Sequence, residues 1–199
     1  MKKLLIFSAL LLVLLLFPAA SSANTLYFDE FGTSSLLNAD SVSVSGVTFH
    51  FSSGLAYYNG QIGLGGLAVL VSDPLLTGPT TGLLTLDFAS PTSLLKFDLA
   101  LLSTDTIDPA YTVILSDGTV LTGSTTPQPG GVFSEGTFVY TGAPITGAAI
   151  AFFNGTDSLG ENVTDFGLDN LTFEAPEPST QLLFAGALLA LGVMRKRKI

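Results

Sequence analysis

The sequence predicts an all-β fold, an antiparallel β-sandwich of jelly-roll type, and three observations predict it. Short segments rich in β-branched and aromatic residues recur through residues 24–174, often alternating apolar with polar or small side chains. Gly, Pro, Asp, Asn and Ser clusters separate them. No stretch between these clusters carries a sustained helical period. Many short strands in one domain-sized stretch imply two packed sheets with alternating residues turned into the space between them.

The elements follow in order. Thr25 to Phe31 alternates loosely through Leu26 and Phe28. Val42 to Phe51 is the clearest strand, with Val42 and Val44, then Val47, Phe49 and Phe51, keeping a two-residue period; Gly46 marks a bulge in it. Leu67–Val71, Leu83–Phe88 and Ser93–Leu102 come next, followed by Tyr111–Leu115 and Val120–Thr122. Ser116-Asp117-Gly118-Thr119 is a turn signal between these last two and makes them a hairpin. Val132–Tyr140, Ile145–Phe153 and Phe166–Phe173 complete the set. Residues 59–66 and 123–131 read as surface loops, and Glu174-Ala175-Pro176 as a short linker to the C-terminal tail.

The two ends are not part of that domain. Lys2 and Lys3 precede an apolar run from Leu4 to Phe17, and Pro18 to Ala23 supplies small residues. That order is a secretory signal peptide over residues 1–23, with signal peptidase cutting before Asn24. At the other end, Pro176-Glu177-Pro178-Ser179 precedes an uncharged apolar run, Leu182 to Met194, and then Arg195-Lys196-Arg197-Lys198. The prolines keep the motif extended, and the basic stop fixes the C-terminus on the cytoplasmic side. The run falls short of the roughly 20 apolar residues of a stable spanning helix, which suits temporary retention in the inner membrane.

Motif, short hydrophobic helix and basic end together resemble the PEP-CTERM sorting signal of Gram-negative bacteria, over residues 175–199. The resemblance implies that a membrane exosortase reads Pro176, Glu177 and Pro178 and processes the chain there. It further implies a destination at the cell surface or in the exopolysaccharide matrix of a biofilm.

Removing both ends changes the charge. Of 7 Lys+Arg, only Lys96 lies between Asn24 and Pro178, against all 16 Asp+Glu. Such a surface disfavours nucleic acid and anionic lipid as partners of the domain, because both require a basic face. The chain has no cysteine, which excludes disulfides, thiol chemistry and cysteine metal sites.

Candidate sites are sparse, and the expectation is a protein that is not an enzyme. His50, the only histidine, falls on the polar side of its strand with no nucleophile beside it. Asp87 and Asp98, on neighbouring strand candidates, are the one carboxylate pair for a glycosidase-like reading, the weakest of three. Tyr57 and Tyr58, in a loop before Asn59-Gly60, are candidate platforms for a carbohydrate-binding module of the matrix. The Asn/Asp-rich stretch 154–173 concentrates oxygen ligands of the kind Ca²⁺ takes. Its last part also resembles the closing strand of jelly-roll carbohydrate-binding modules. That likeness implies a structural Ca²⁺ shared by Asp169 with Asp29 or Glu30.

Overall fold

The computed structural model describes residues 21–29, 34–36, 41–52, 56–60, 68–102, 110–128, 133–152 and 163–176. These hold twelve strands and no helix. In order they are β1 (Ser21–Leu26), β2 (Ser34–Leu36), β3 (Ser41–Val44), β4 (Val47–Phe51), β5 (Ala56–Gly60) and β6 (Leu75–Pro79). Then follow β7 (Leu83–Leu102), β8 (Ala110–Leu115), β9 (Val120–Ser124), β10 (Thr126–Pro127), β11 (Phe133–Ala151) and β12 (Asp165–Pro176). The expected all-β antiparallel architecture is what the chain adopts. Residues 23–174 form one compact unit.

Hydrogen bonds join every strand into one sheet, in the order β2-β5-β6-β12-β7-β11-β8-β9. Beside that path, β1 pairs β12, β10 pairs β11, and β4 lies between β3 and β7. Where the sequence suggests two strands at 83–102 and two at 132–153, the chain runs through as the long strands β7 and β11. The two pair along most of their length, with register shifts between Thr141 and Gly147. Pro91 sits where β7 crosses from one half to the other; having no N–H, it leaves no donor unpaired there. Nearby, the buried Thr92 hydroxyl accepts the Glu174 N–H at 2.8 Å, and the Ala89 N–H reaches the Gly46 carbonyl at 2.8 Å.

The sheet folds over itself across this ribbon. Leu84, Leu86 and Phe88 from the first half of β7 share one apolar core with Leu95, Phe97, Leu99 and Leu101 from the second. Phe51 of β4 meets Phe166 of β12 at 5.8 Å between ring centroids, and Phe88 meets Phe173 at 5.4 Å. Each such ring or leucine, fully buried, contributes about 1.5–3 kcal/mol of transfer free energy. With no cysteine in the chain, this burial carries the fold.

Several local readings change. Val42–Phe51 is a hairpin rather than one strand, because Ser45 (φ 48°) and Gly46 (φ 91°) form a two-residue turn. Positive φ at both central residues matches the twist of the flanking strands. A two-residue turn pairs Val42 with Phe49 and Val44 with Val47, so the inward apolar set passes from even to odd positions, a slip of one that marks the turn. The Ser116–Thr119 turn is present: Leu115 N–H bonds the Thr119 carbonyl at 2.9 Å, and Asp117 accepts the Thr119 N–H at 2.8 Å.

Residues 123–131 are not a plain loop, since β9 extends to Ser124 and Thr126–Pro127 pair with β11. Gly123 is required there, because a Cβ would lie 2.2 Å from the buried Tyr111 ring. Of the expected strand Leu67–Val71, the described residues 68–71 form none; residues 68–74 pass over the sheet as a strap. β12 continues through Glu174, Ala175 and Pro176.

Candidate functional site

The chemistry of the domain gathers on the outer face of the second half of the sheet, where β11, β7 and β12 lie side by side. Register sets Thr137, Asp98 and Asp169 in one row across these strands, and Glu135, Ala100 and Gly167 in the next. All three acids are buried. They can be buried because the strap at 68–74 covers them and supplies donors.

Glu135 Oε1 accepts the backbone N–H groups of Val69, Leu70 and Val71 at 3.2, 3.0 and 3.1 Å, and its Oε2 accepts Val69 again at 2.9 Å. Asp169 Oδ2 accepts the Ser72 N–H at 3.1 Å, and its Oδ1 the Asn170 N–H at 2.7 Å. Asp98 accepts the Thr137 hydroxyl and the Asn170 side-chain amide, the latter at 2.9 Å. The same amide donates to the Leu70 carbonyl at 3.0 Å. Beneath the strap, Val71, Leu75, Ala100 and Phe133 form a second, smaller apolar cluster.

Asn170 reaches this face because β12 carries one extra residue. Its φ of 51° lies in the left-handed region, and the pairing with β7 shifts between Asp169 and Thr172. A bulge of this kind re-aims a side chain, here leaving Asp169 and Asn170 both against the strap. It also moves the inward set from Phe166 and Leu168 to Leu171 and Phe173, all in the main core. Burial is the first cause of the Asp169 carboxyl being held above the ordinary carboxylate range. The Asn170 and Ser72 donors oppose that shift, and the neighbouring Asp98 charge adds to it.

The residues singled out from sequence fall in separate places. Tyr57 is exposed and lies on β5, not in a loop, opposite Thr77 of β6. Tyr58 is on the same strand, in register with Ser34. Asp29 is exposed just beyond β1, while Glu30 lies outside the described residues. Both oxygens of Asp169 already accept donors, and among the described residues no three His, Asp or Glu side chains gather closely enough to hold a metal ion.

Asp87 and Asp98 do not form a catalytic pair. They occupy opposite halves of β7, Asp87 exposed with its Oδ2 3.4 Å from His50 Nε2 and Asp98 buried among its own partners. His50 does lie on the outward, polar side of β4, as its alternation implies. Pro176 ends β12. Glu177, Pro178, Ser179, the apolar run 182–194 and the basic residues Arg195, Lys196, Arg197 and Lys198 lie outside the described residues, as do residues 1–20. Among the described residues no helix is long and apolar enough to cross a membrane.

Sequence reasoning missed Glu135 and the strap. It also missed a row of side chains further along the same outer face, Val139, Lys96 and Thr172, with Thr25 of β1 beside Thr172.

No family model and no curated protein matches the chain. Solved structures of family 29 carbohydrate-binding modules superpose on most of it. One, described as a carbohydrate-binding module of family 29, is 9% identical, covering 78% of this chain and 89% of its own, at a TM-score of 0.33. A variant of the module CBM29-2 complexed with mannohexaose is 10% identical over 78% and 92%, also at 0.33. Another CBM29-2 variant is 14% identical over 76% and 91%, at 0.33.

Proposed function

We propose that this chain is a non-enzymatic exported protein whose β-domain serves at the cell surface or in the extracellular matrix. In this reading the single folded sheet is a jelly-roll-like sandwich, residues 1–23 direct export, and the tail from Ala175 is the sorting signal. An exosortase reads Pro176-Glu177-Pro178-Ser179, while Leu182 to Met194 holds the precursor in the inner membrane and Arg195 to Lys198 fixes its orientation.

One observation supports the absence of catalysis most directly: Asp98, Glu135 and Asp169 are each occupied by donors from the strap, the bulge or a neighbouring strand. A general acid or base must reach a proton on substrate, and these carboxylates are turned to backbone and side-chain donors instead. Replacing Pro176-Glu177-Pro178 by three alanines should leave an unprocessed, membrane-retained precursor on immunoblots of fractionated cells. Normal release of that variant would defeat the sorting reading.

A second reading, attachment to matrix polysaccharide, is favoured by the exposed aromatic side chain of Tyr27 on a domain otherwise rich in hydroxyls. Aromatic faces and hydroxyl groups are the chemistry a sugar ring meets, and neither requires a catalytic pair.

A further inference from the structure

We propose that the outer row formed by Thr25, Thr172, Lys96 and Val139, with Tyr27 beside it, is the binding site for a neutral glycan chain. The proposal rests on the polysaccharide-binding reading above and gives that reading a place and a ligand class.

The row is built by register. Lys96 of β7 stands opposite Val139 of β11 on one side and Thr172 of β12 on the other. The Thr172 hydroxyl is 2.9 Å from that of Thr25 on β1, so four strands contribute to one line of side chains. Three inter-strand spacings make it about 14 Å wide. Tyr27, two residues beyond Thr25, is 54% exposed, and Val139 is 57% exposed. An exposed tyrosine ring and a valine at the two sides give apolar surface, and the hydroxyls and ammonium between them give donors.

Charge selects the ligand. Lys96 is the only Lys or Arg between Asn24 and Pro178, yet among the described residues it forms no salt bridge; the one contact of that kind there joins His50 to Asp87 at 3.4 Å. Lys96 is also partly buried, with an aliphatic and a hydroxyl residue as its registered neighbours. An ammonium so placed has donors for oxygen acceptors arriving from outside. A polyanion would offer those too, but the many carboxylates of the domain repel it at longer range. A neutral polysaccharide supplies ring and hydroxyl oxygens to Lys96, Thr25 and Thr172, and sets a sugar face on Tyr27, without that repulsion.

The experiment is retardation of the purified full-length chain, in detergent, in native gels carrying hydroxyethylcellulose, galactomannan or alginate. Retardation by one of the two neutral polymers and not by alginate is expected. Tyr27→Ala and Lys96→Met should each weaken it by about fivefold to tenfold, Tyr27→Phe should retain it, and Tyr57→Ala should leave it unchanged. Both altered residues are solvent-accessible, and unchanged melting temperatures establish that the variants are folded. Wild-type retardation of Tyr27→Ala and Lys96→Met, or loss on Tyr57→Ala alone, would overturn this site while leaving polysaccharide binding standing. Retardation by alginate in preference would overturn the neutral ligand, and no retardation by any of the three would remove the polysaccharide reading itself.

Discussion

Asp169 illustrates how much one side chain can carry. It is a buried carboxyl opposite a second one, and it is tolerated because Ser72 and Asn170 donate to it. Burial holds its proton to higher pH in the fold than in the unfolded chain. The folded value is raised, so the stabilisation linked to this group is complete below the ordinary carboxylate value of about 3.9 and is lost as pH rises through the raised one. Urea denaturation of wild type and Asp169→Asn across the acid range should therefore show the largest advantage for wild type at low pH, shrinking as pH rises. An advantage that grows with pH would mean that the donors outweigh burial. The sequence marks Asp169 as noteworthy, but its Ser72 donor comes from a strap about a hundred residues away, a separation no local spacing encodes.

At the level of elements, the bulge in β12 is the device on which the outer face depends. Left-handed φ costs an ordinary L-residue roughly 1–2 kcal/mol, less for Asn and nothing for Gly. Asn170→Gly should keep the bulge and lose the amide bonds to Leu70 and Asp98. Asn170→Ala should lose both those bonds and the backbone ease, and so melt lower than Asn170→Gly by about 1 kcal/mol of stability. Equal stabilities would argue that the strand relaxes out of the left-handed conformation. Here the sequence did hold the signal: Phe166 and Leu168 keep one parity, Leu171 and Phe173 the other, and a slip of one in an apolar alternation requires one extra residue. The joining of 83–88 to 93–102 was hidden for the opposite reason. Pro91 and the small residues around it look like a break, and only a bend that needs no N–H at that point lets the strand continue. The short strands β2, β5, β6 and β10 were hidden by their brevity and by Gly and Pro within or beside them.

Between Asn24 and Pro178 the chain sets one lysine against 16 acids. Folding brings those carboxylates closer than the open chain does, so self-repulsion opposes the compact state. Screening should relieve it: thermal melts from low salt to about 0.3 M sodium chloride are expected to rise by roughly 3 °C. A flat or falling melting temperature would show that the acids are spaced too widely to interact. The all-β class and the antiparallel character were legible from alternation alone, because period-two burial is the same whether strands belong to one sheet or two. How they were joined was not.

That joining has a further consequence. In a sandwich of two separate sheets, each layer owns its backbone ladder, and one can in principle peel from the other at the cost of side-chain contacts alone. Here β7 and β11 run through both layers as continuous strands, paired along most of their length. The domain has a crease where another would have a seam, and pulling the layers apart must bend or break the ladder that both of them share.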